Sequence, residues 1–194
     1  HPEAAMLQNP DQMFHAEFTP DGSRVATGDL RHVAMFDVST GRMLWKRETN
    51  GTVVWGIQFN HDGSRLAAAS FDRTISIVDT ETGEILQRLA GNERVVRDAA
   101  FSPDGRTVAT GGADNILRIY DVETGELLHS VADHTVDIYT VRYSHGGDLM
   151  VTASLDRTAA LRDGTTGERI RTFEPHDGTV LSAVFSPDDS LVLT

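Results

Sequence analysis

Five aromatic residues, Phe18, Phe59, Phe101, Tyr143 and Phe185, stand 41, 42, 42 and 42 positions apart. A repeat of this length restricts a chain to solenoids, propellers or arrays, because one unit of roughly 40 residues cannot bury its own apolar face. Each aromatic is followed in register by a turn segment: TPDGS from Thr19, NHDGS from Asn60, SPDGR from Ser102, SHGGD from Ser144 and SPDDS from Ser186. A second set of turns follows later in each unit: FDVSTG from Phe36, VDTETG from Val78, YDVETG from Tyr120 and RDGTTG from Arg162.

Glycine tolerates the positive φ that tight hairpins require, so Gly41, Gly83, Gly125 and Gly167 are expected at the turn positions of the Thr-Gly hairpins. The runs between turns are rich in Val, Ile, Leu, Ala and Thr, too short and too alternating for helices. In the clearest unit they predict strands near 53–59, 65–70, 74–79 and 84–89, with the Thr-Gly hairpin joining the third to the fourth. The reading is all-β: a β-propeller fragment of four four-stranded antiparallel blades and the start of a fifth. The expected units are 9–49, 50–91, 92–133, 134–175 and a truncated 176–194, in a single domain over 1–194.

The period, the FSPDG-like turns and the Asp-x-x-Thr-Gly hairpins together resemble the WD-repeat family over nearly the whole chain. The departures are specific. Phe36, Val78, Tyr120 and Arg162 replace the family's Trp, while Asp37, Asp79, Asp121 and Asp163 are kept. Asn9, Asn50 and Asn92 stand where His134 and His176 keep the family's histidine. The tight-turn Asp is matched by Asp72, Asp114 and Asp156, with Arg31 in its place in the first unit. The resemblance implies a stiffening network of His, Ser or Thr, Asp and Trp in each blade. Only the unit with His134, Ser154 and Asp156 approaches it, and Asn is expected to replace His as donor elsewhere. It also implies a parent of about seven blades, closed by further blades of the same propeller or by a second copy.

A formal net charge of -12 sets up a field that repels phosphate backbones, so nucleic acid is not expected as a partner. No apolar run approaches the roughly 18 residues of a membrane-spanning helix. The absence of cysteine removes disulfides and thiolate chemistry and fits a cytoplasmic protein. Lys46 is the only lysine against 17 basic residues in all, a bias expected of a high-GC bacterial gene.

Within each inner strand the positions five before, two before and at the marker aromatic are apolar, as in Val54, Ile57 and Phe59; Val96, Ala99 and Phe101; Ile138, Val141 and Tyr143. These are assigned to the core. Steps of three and two cannot share one face of a regular strand, so a bulge is expected between the first two. The position it frees, four before the aromatic, holds Phe14, Trp55, Arg97, Tyr139 and Leu181, residue types common in protein interfaces. By the family resemblance it opens on the top face near the central channel, beside the residue preceding each turn Asp. Trp55, Phe71, Arg97, Tyr139 and Leu155 form the candidate docking patch. The competing reading buries these side chains between blades, with Asp98 or Asp137 neutralising Arg97.

The histidines are scattered one per turn and the aspartates lack calcium-loop spacing, so no metal site and no cofactor are expected. Ser154, His134 and Asp156 match a catalytic triad by type, but the repeat accounts for all three. The glycines at Gly28 and Gly111 open no phosphate loop, because no helix follows. The expected function is a non-catalytic scaffold that binds protein or peptide partners through its loops and top face. The alternatives are a sensor module of a bacterial transcriptional regulator or protein kinase, and a hydrolase or quinoprotein with a central-channel site.

Overall fold

A computed structural model describes residues 12–49, 52–173 and 175–194; Asn9 and Asn50 lie outside the described residues. The first sheet contains β1 (His15–Phe18), β2 (Arg24–Gly28), β3 (His32–Asp37) and β4 (Met43–Glu48). The second contains β5 (Val54–Phe59), β6 (Arg65–Ser70), β7 (Ile75–Asp79) and β8 (Ile85–Leu89). The third is β9 (Val96–Phe101), β10 (Thr107–Gly112), β11 (Leu117–Asp121) and β12 (Leu127–Val131). The fourth is β13 (Ile138–Tyr143), β14 (Leu149–Ser154), β15 (Ala159–Asp163) and β16 (Arg169–Thr172), followed by the pair β17 (Val184–Phe185) and β18 (Val192–Leu193).

Each sheet is an antiparallel meander whose spatial order follows chain order. The first strands of successive sheets, β1, β5, β9, β13 and β17, approach one another in series. These are the blades of a β-propeller, with the first strand of each innermost. No described helix is long and apolar enough to cross a membrane.

The core lies between sheets, so the middle strands are buried on both faces and read as continuous apolar runs. Strand β6 shows how alternation divides the work. Leu66 and Ala68 join Ala26, Val33 and Met35 of the first blade, whereas Ala67 and Ala69 join Val96, Phe101 and Val108 of the third. Gly28 and Gly111 are small for the same reason: a Cβ at Gly28 would come 2.9 Å from Val54, and one at Gly111 would collide with Ile138. The first unit departs from the expectation of a buried inner strand. Met13 is 45% and Phe18 60% exposed, because the outward side of β1 is uncovered among the described residues.

Candidate functional site

The expected bulge is present in three blades. The pairing register shifts between Val54 and Gly56, between Val96 and Asp98 opposite Gly111 and Gly112, and between Ile138 and Thr140. Trp55, Arg97 and Tyr139 are thus the extra residues, released from the ladder. The loop between the second and third strands is tied to the same place. Phe71 N–H donates to Val53 C=O (3.0 Å), Ala113 to Val95 (2.9 Å) and Leu155 to Asp137 (3.0 Å).

This brings the candidate patch together. The Trp55 and Phe71 rings stack at 5.6 Å with a 27° tilt, and Phe14 adds a third ring 6.1 Å from Trp55. The Arg97 guanidinium sits 5.6 Å from the Trp55 ring centre and 5.5 Å from that of Tyr139, so it is held between two π faces. Arg97 also donates to Asp137 from Nη2 at 3.0 Å and Nε at 3.3 Å. Asp137 is therefore the carboxylate partner, while Asp98 pairs with Arg142 instead. Leu155 borders this series through its bond to the Asp137 backbone. Phe14 and Leu181, at the same repeat position but outside the expected patch, extend the surface, being 37% and 54% exposed.

The channel wall below the patch has an order that the repeat alone did not reveal. Inner strands have a free edge whose backbone groups need partners. Side chains of the neighbouring blade supply several: Gln58 Oε1 accepts from Phe101 N–H (3.0 Å), Asp98 Oδ2 from Val141 N–H (3.0 Å), and Thr140 Oγ1 donates to Leu181 C=O (2.7 Å). Glu17 occupies the position of Gln58 one blade earlier and engages the Phe59 backbone. Burial pushes the Glu17 carboxyl up to about 7, against the opposing pull of Arg142.

The fourth blade contains a closed hydrogen-bond relay. Arg162 Nε donates to Thr152 Oγ1 (2.8 Å), Thr152 is bonded to His134 Nε2 (2.9 Å), and His134 Nδ1 to Asp156 Oδ2 (2.8 Å). Every donor finds an acceptor if His134 is neutral with its proton on Nδ1. Burial and the Arg162 charge depress the His134 pKa despite Asp156. Burial alone would raise Asp156, yet hydrogen bonds from Thr158 and His134 hold it well below the usual carboxylate range. The hydroxyl of this network is Thr152 and not Ser154. Ser154 sits at the strand end, where its Oγ donates to Val136 C=O (3.0 Å) and accepts from Asp156 N–H (3.0 Å). Arg162 at the Trp position is fully buried, with Asp133 at 2.7 Å.

In the third blade the expectation of Asn92 as donor to the turn Asp is corrected. Asn92 Oδ1 accepts from Arg118 Nη1 (3.1 Å), and Arg118 also reaches Asp114 at 2.6 Å, so the arginine takes the histidine's part. In the first blade, where Arg31 lacks a carboxylate, Asp29 caps the turn through the N–H groups of Arg31 and His32, both at 2.7 Å. Asp72, Asp114 and Asp156 each accept from the N–H two residues on, which stabilises positive φ at Arg73, Asn115 and Arg157.

Gly41, Gly83, Gly125 and Gly167 all have φ between 68° and 74°. Gly83 has a second duty. Its turn tucks under Trp45 of the preceding blade, where a Cβ would come 2.7 Å from the indole. Trp45 Nε1 donates to Thr80 C=O at 2.9 Å and Arg47 Nε to Gly83 C=O at 3.0 Å. The sequence signal for this rim contact is Trp45 itself, an aromatic at the fourth-strand position that Gln87 and His129 hold in the next two blades. Among the described residues no His, Asp or Glu side chains converge as a metal-binding group.

A family model described as outer membrane protein assembly factor BamB matches residues 30–186. No curated protein matches the chain.

Proposed function

Taking as premise that the chain belongs to this BamB-like family of β-propeller repeats, we propose that it is a non-catalytic protein-interaction module. It docks a protein or peptide on the face carrying Trp55, Phe71, Arg97, Tyr139 and Leu155. The observation that carries this reading is the continuous series Phe14–Trp55–Arg97–Tyr139, with Phe71 on Trp55. Aromatic side chains make large contact areas while losing little side-chain entropy, and with arginine they dominate interface energetics. The bulges that present them leave the ladder weaker than a regular strand would, so the geometry favours presentation over packing.

Within the propeller folds we assign the repeats to the WD type, on the Asp and Thr-Gly turns and on the relay of Asp156, His134, Thr152 and Arg162. In that relay Arg162 Nε occupies the role of an indole N–H. The relay is built for rigidity: its hydroxyl donates to His134, accepts from Arg162 and is fully buried, out of reach of a substrate. The test is affinity capture with the full chain. Trp55→Ala combined with Arg97→Glu is expected to lose the captured partner with its unfolding transition intact. Retention of the same partner by that variant would refute the docking face.

A further inference from the structure

The mouth of the central channel forms a cleft of about 180 Å³ where the first four blades converge, lined by His15, Trp55, Arg97, Tyr139, Thr140 and Arg142, with Asp98 at its wall. Two guanidinium groups in one small cleft are unusual in a chain of net charge -12. Each is held on one edge only. Arg97 gives Nε and Nη2 to a single oxygen of Asp137, and its Nη1 makes no hydrogen bond among the described residues. Arg142 gives Nη1 to Asp98 and to its neighbour's carbonyl at Val141, leaving Nε and Nη2 without a hydrogen bond among the described residues, although Glu17 lies near enough to feel its charge. A guanidinium carries five N–H donors in a rigid fork, so both residues retain an unoccupied edge.

We propose that this cleft binds a carboxylate carried by a partner peptide, held between the open edges of Arg97 and Arg142, with the neighbouring apolar side chain of the peptide on the Phe14, Trp55 and Phe71 rings. The proposal rests on the docking face described above and specifies its chemistry. Arg97 is fixed beforehand by two π faces and by Asp137, so little rotamer freedom remains to be lost on binding. Asp137 and Asp98 already balance the charges of Arg97 and Arg142, and Glu17 stands near Arg142, so recognition rests on the directed N–H donors of the two open edges and not on surplus positive charge. A phosphate dianion would meet these acids at close range, and the planar carboxylate matches the fork geometry.

The experiment titrates the full chain with four N-acetylated peptides. One ends in Phe with a free carboxylate and the second is its C-terminal amide. The third is amidated and carries Glu before Phe, and the fourth is its Gln twin. Saturable binding of a carboxylate form, weakened roughly tenfold or more in its neutral twin, is expected from the loss of a charge-assisted hydrogen bond. Whichever pair shows the difference identifies a terminal or a side-chain carboxylate as the source. Arg97→Gln and Arg142→Gln should each weaken the carboxylate form clearly more than its neutral twin, and inorganic phosphate should not compete. Equal binding of both twins, no saturable binding of either carboxylate form, or competition by phosphate would overturn the proposal. The peptide twins leave the protein unaltered, so a misfolded variant cannot obscure the result. Failure of the docking face reads differently: Trp55→Ala would then leave carboxylate binding untouched while the arginine variants abolish it.

Discussion

Glu17 and Gln58 hold the same repeat position one blade apart, and each meets the backbone of the next blade's marker aromatic. The acid does so with its carboxyl pushed up to about 7 by burial, from an ordinary value of 4.5. Its protonated form therefore favours the fold: the contribution is complete below 4.5 and is lost as pH rises through about 7. Glu17→Gln, which copies Gln58, should raise urea stability at pH 8 by on the order of 2 kcal/mol, with the gap narrowing toward acid pH. His134 acts in the opposite sense. Its depressed pKa makes the relay fully stabilising above 6.5 and progressively weaker as pH falls below that value. Thr110 occupies the position of Thr152 one blade earlier, and its buried hydroxyl has no partner among the described residues. Thr152→Val should therefore cost about 1–3 kcal/mol in chemical denaturation, while Thr110→Val should be neutral or stabilising. The second blade already carries Ala68 and Val78 at the two positions, with both polar partners removed together. The repeat made His134, Asp156 and Arg162 legible. It pointed to Ser154 where the structure uses Thr152; the two share a face of one strand and differ in which polar groups their hydroxyls reach.

Strands and hairpins were read almost to the residue, because their turn chemistry recurs in every unit. The bulge followed from the three-then-two spacing of Val54, Ile57 and Phe59, an argument internal to one strand. Contacts between elements were less legible. The Trp45 seam joins the fourth strand of one blade to the third hairpin of the next, and the edge satisfaction by Gln58 and Asp98 joins neighbouring inner strands. Neither leaves a periodic mark, since the residues differ from blade to blade. Two glycines separate conformational from steric demands here. Gly22 and Gly83 have φ of 70° and 71°, but a Cβ at Gly22 meets nothing within 4 Å whereas one at Gly83 meets Trp45. Gly22→Ala should cost about 1 kcal/mol from backbone strain alone. Gly83→Ala should cost clearly more by equilibrium unfolding, and the excess should shrink in a Trp45→Ala background.

At the scale of the molecule, the 41- and 42-residue spacing of five aromatics constrained the fold more than any composition could. Blades that bury their faces against one another leave only rims, edges and the channel for function, and of these the bulged top face gathers the rings and guanidinium groups. What the sequence left open was whether Trp55, Phe71, Arg97 and Tyr139 meet at all. That depends on how adjacent blades align, which the bonds from Phe101 N–H to Gln58, from Val141 N–H to Asp98 and from Arg97 to Asp137 tie across the blades. The most direct measurement is amide hydrogen exchange of the full chain with and without its captured partner. The expected result is added protection confined to Val53–Gly56, Phe71–Asp72, Val95–Asp98 and Asp137–Thr140. Protection confined instead to the Thr-Gly turns or the outer strands, with these segments unchanged, would contradict a top-face docking module.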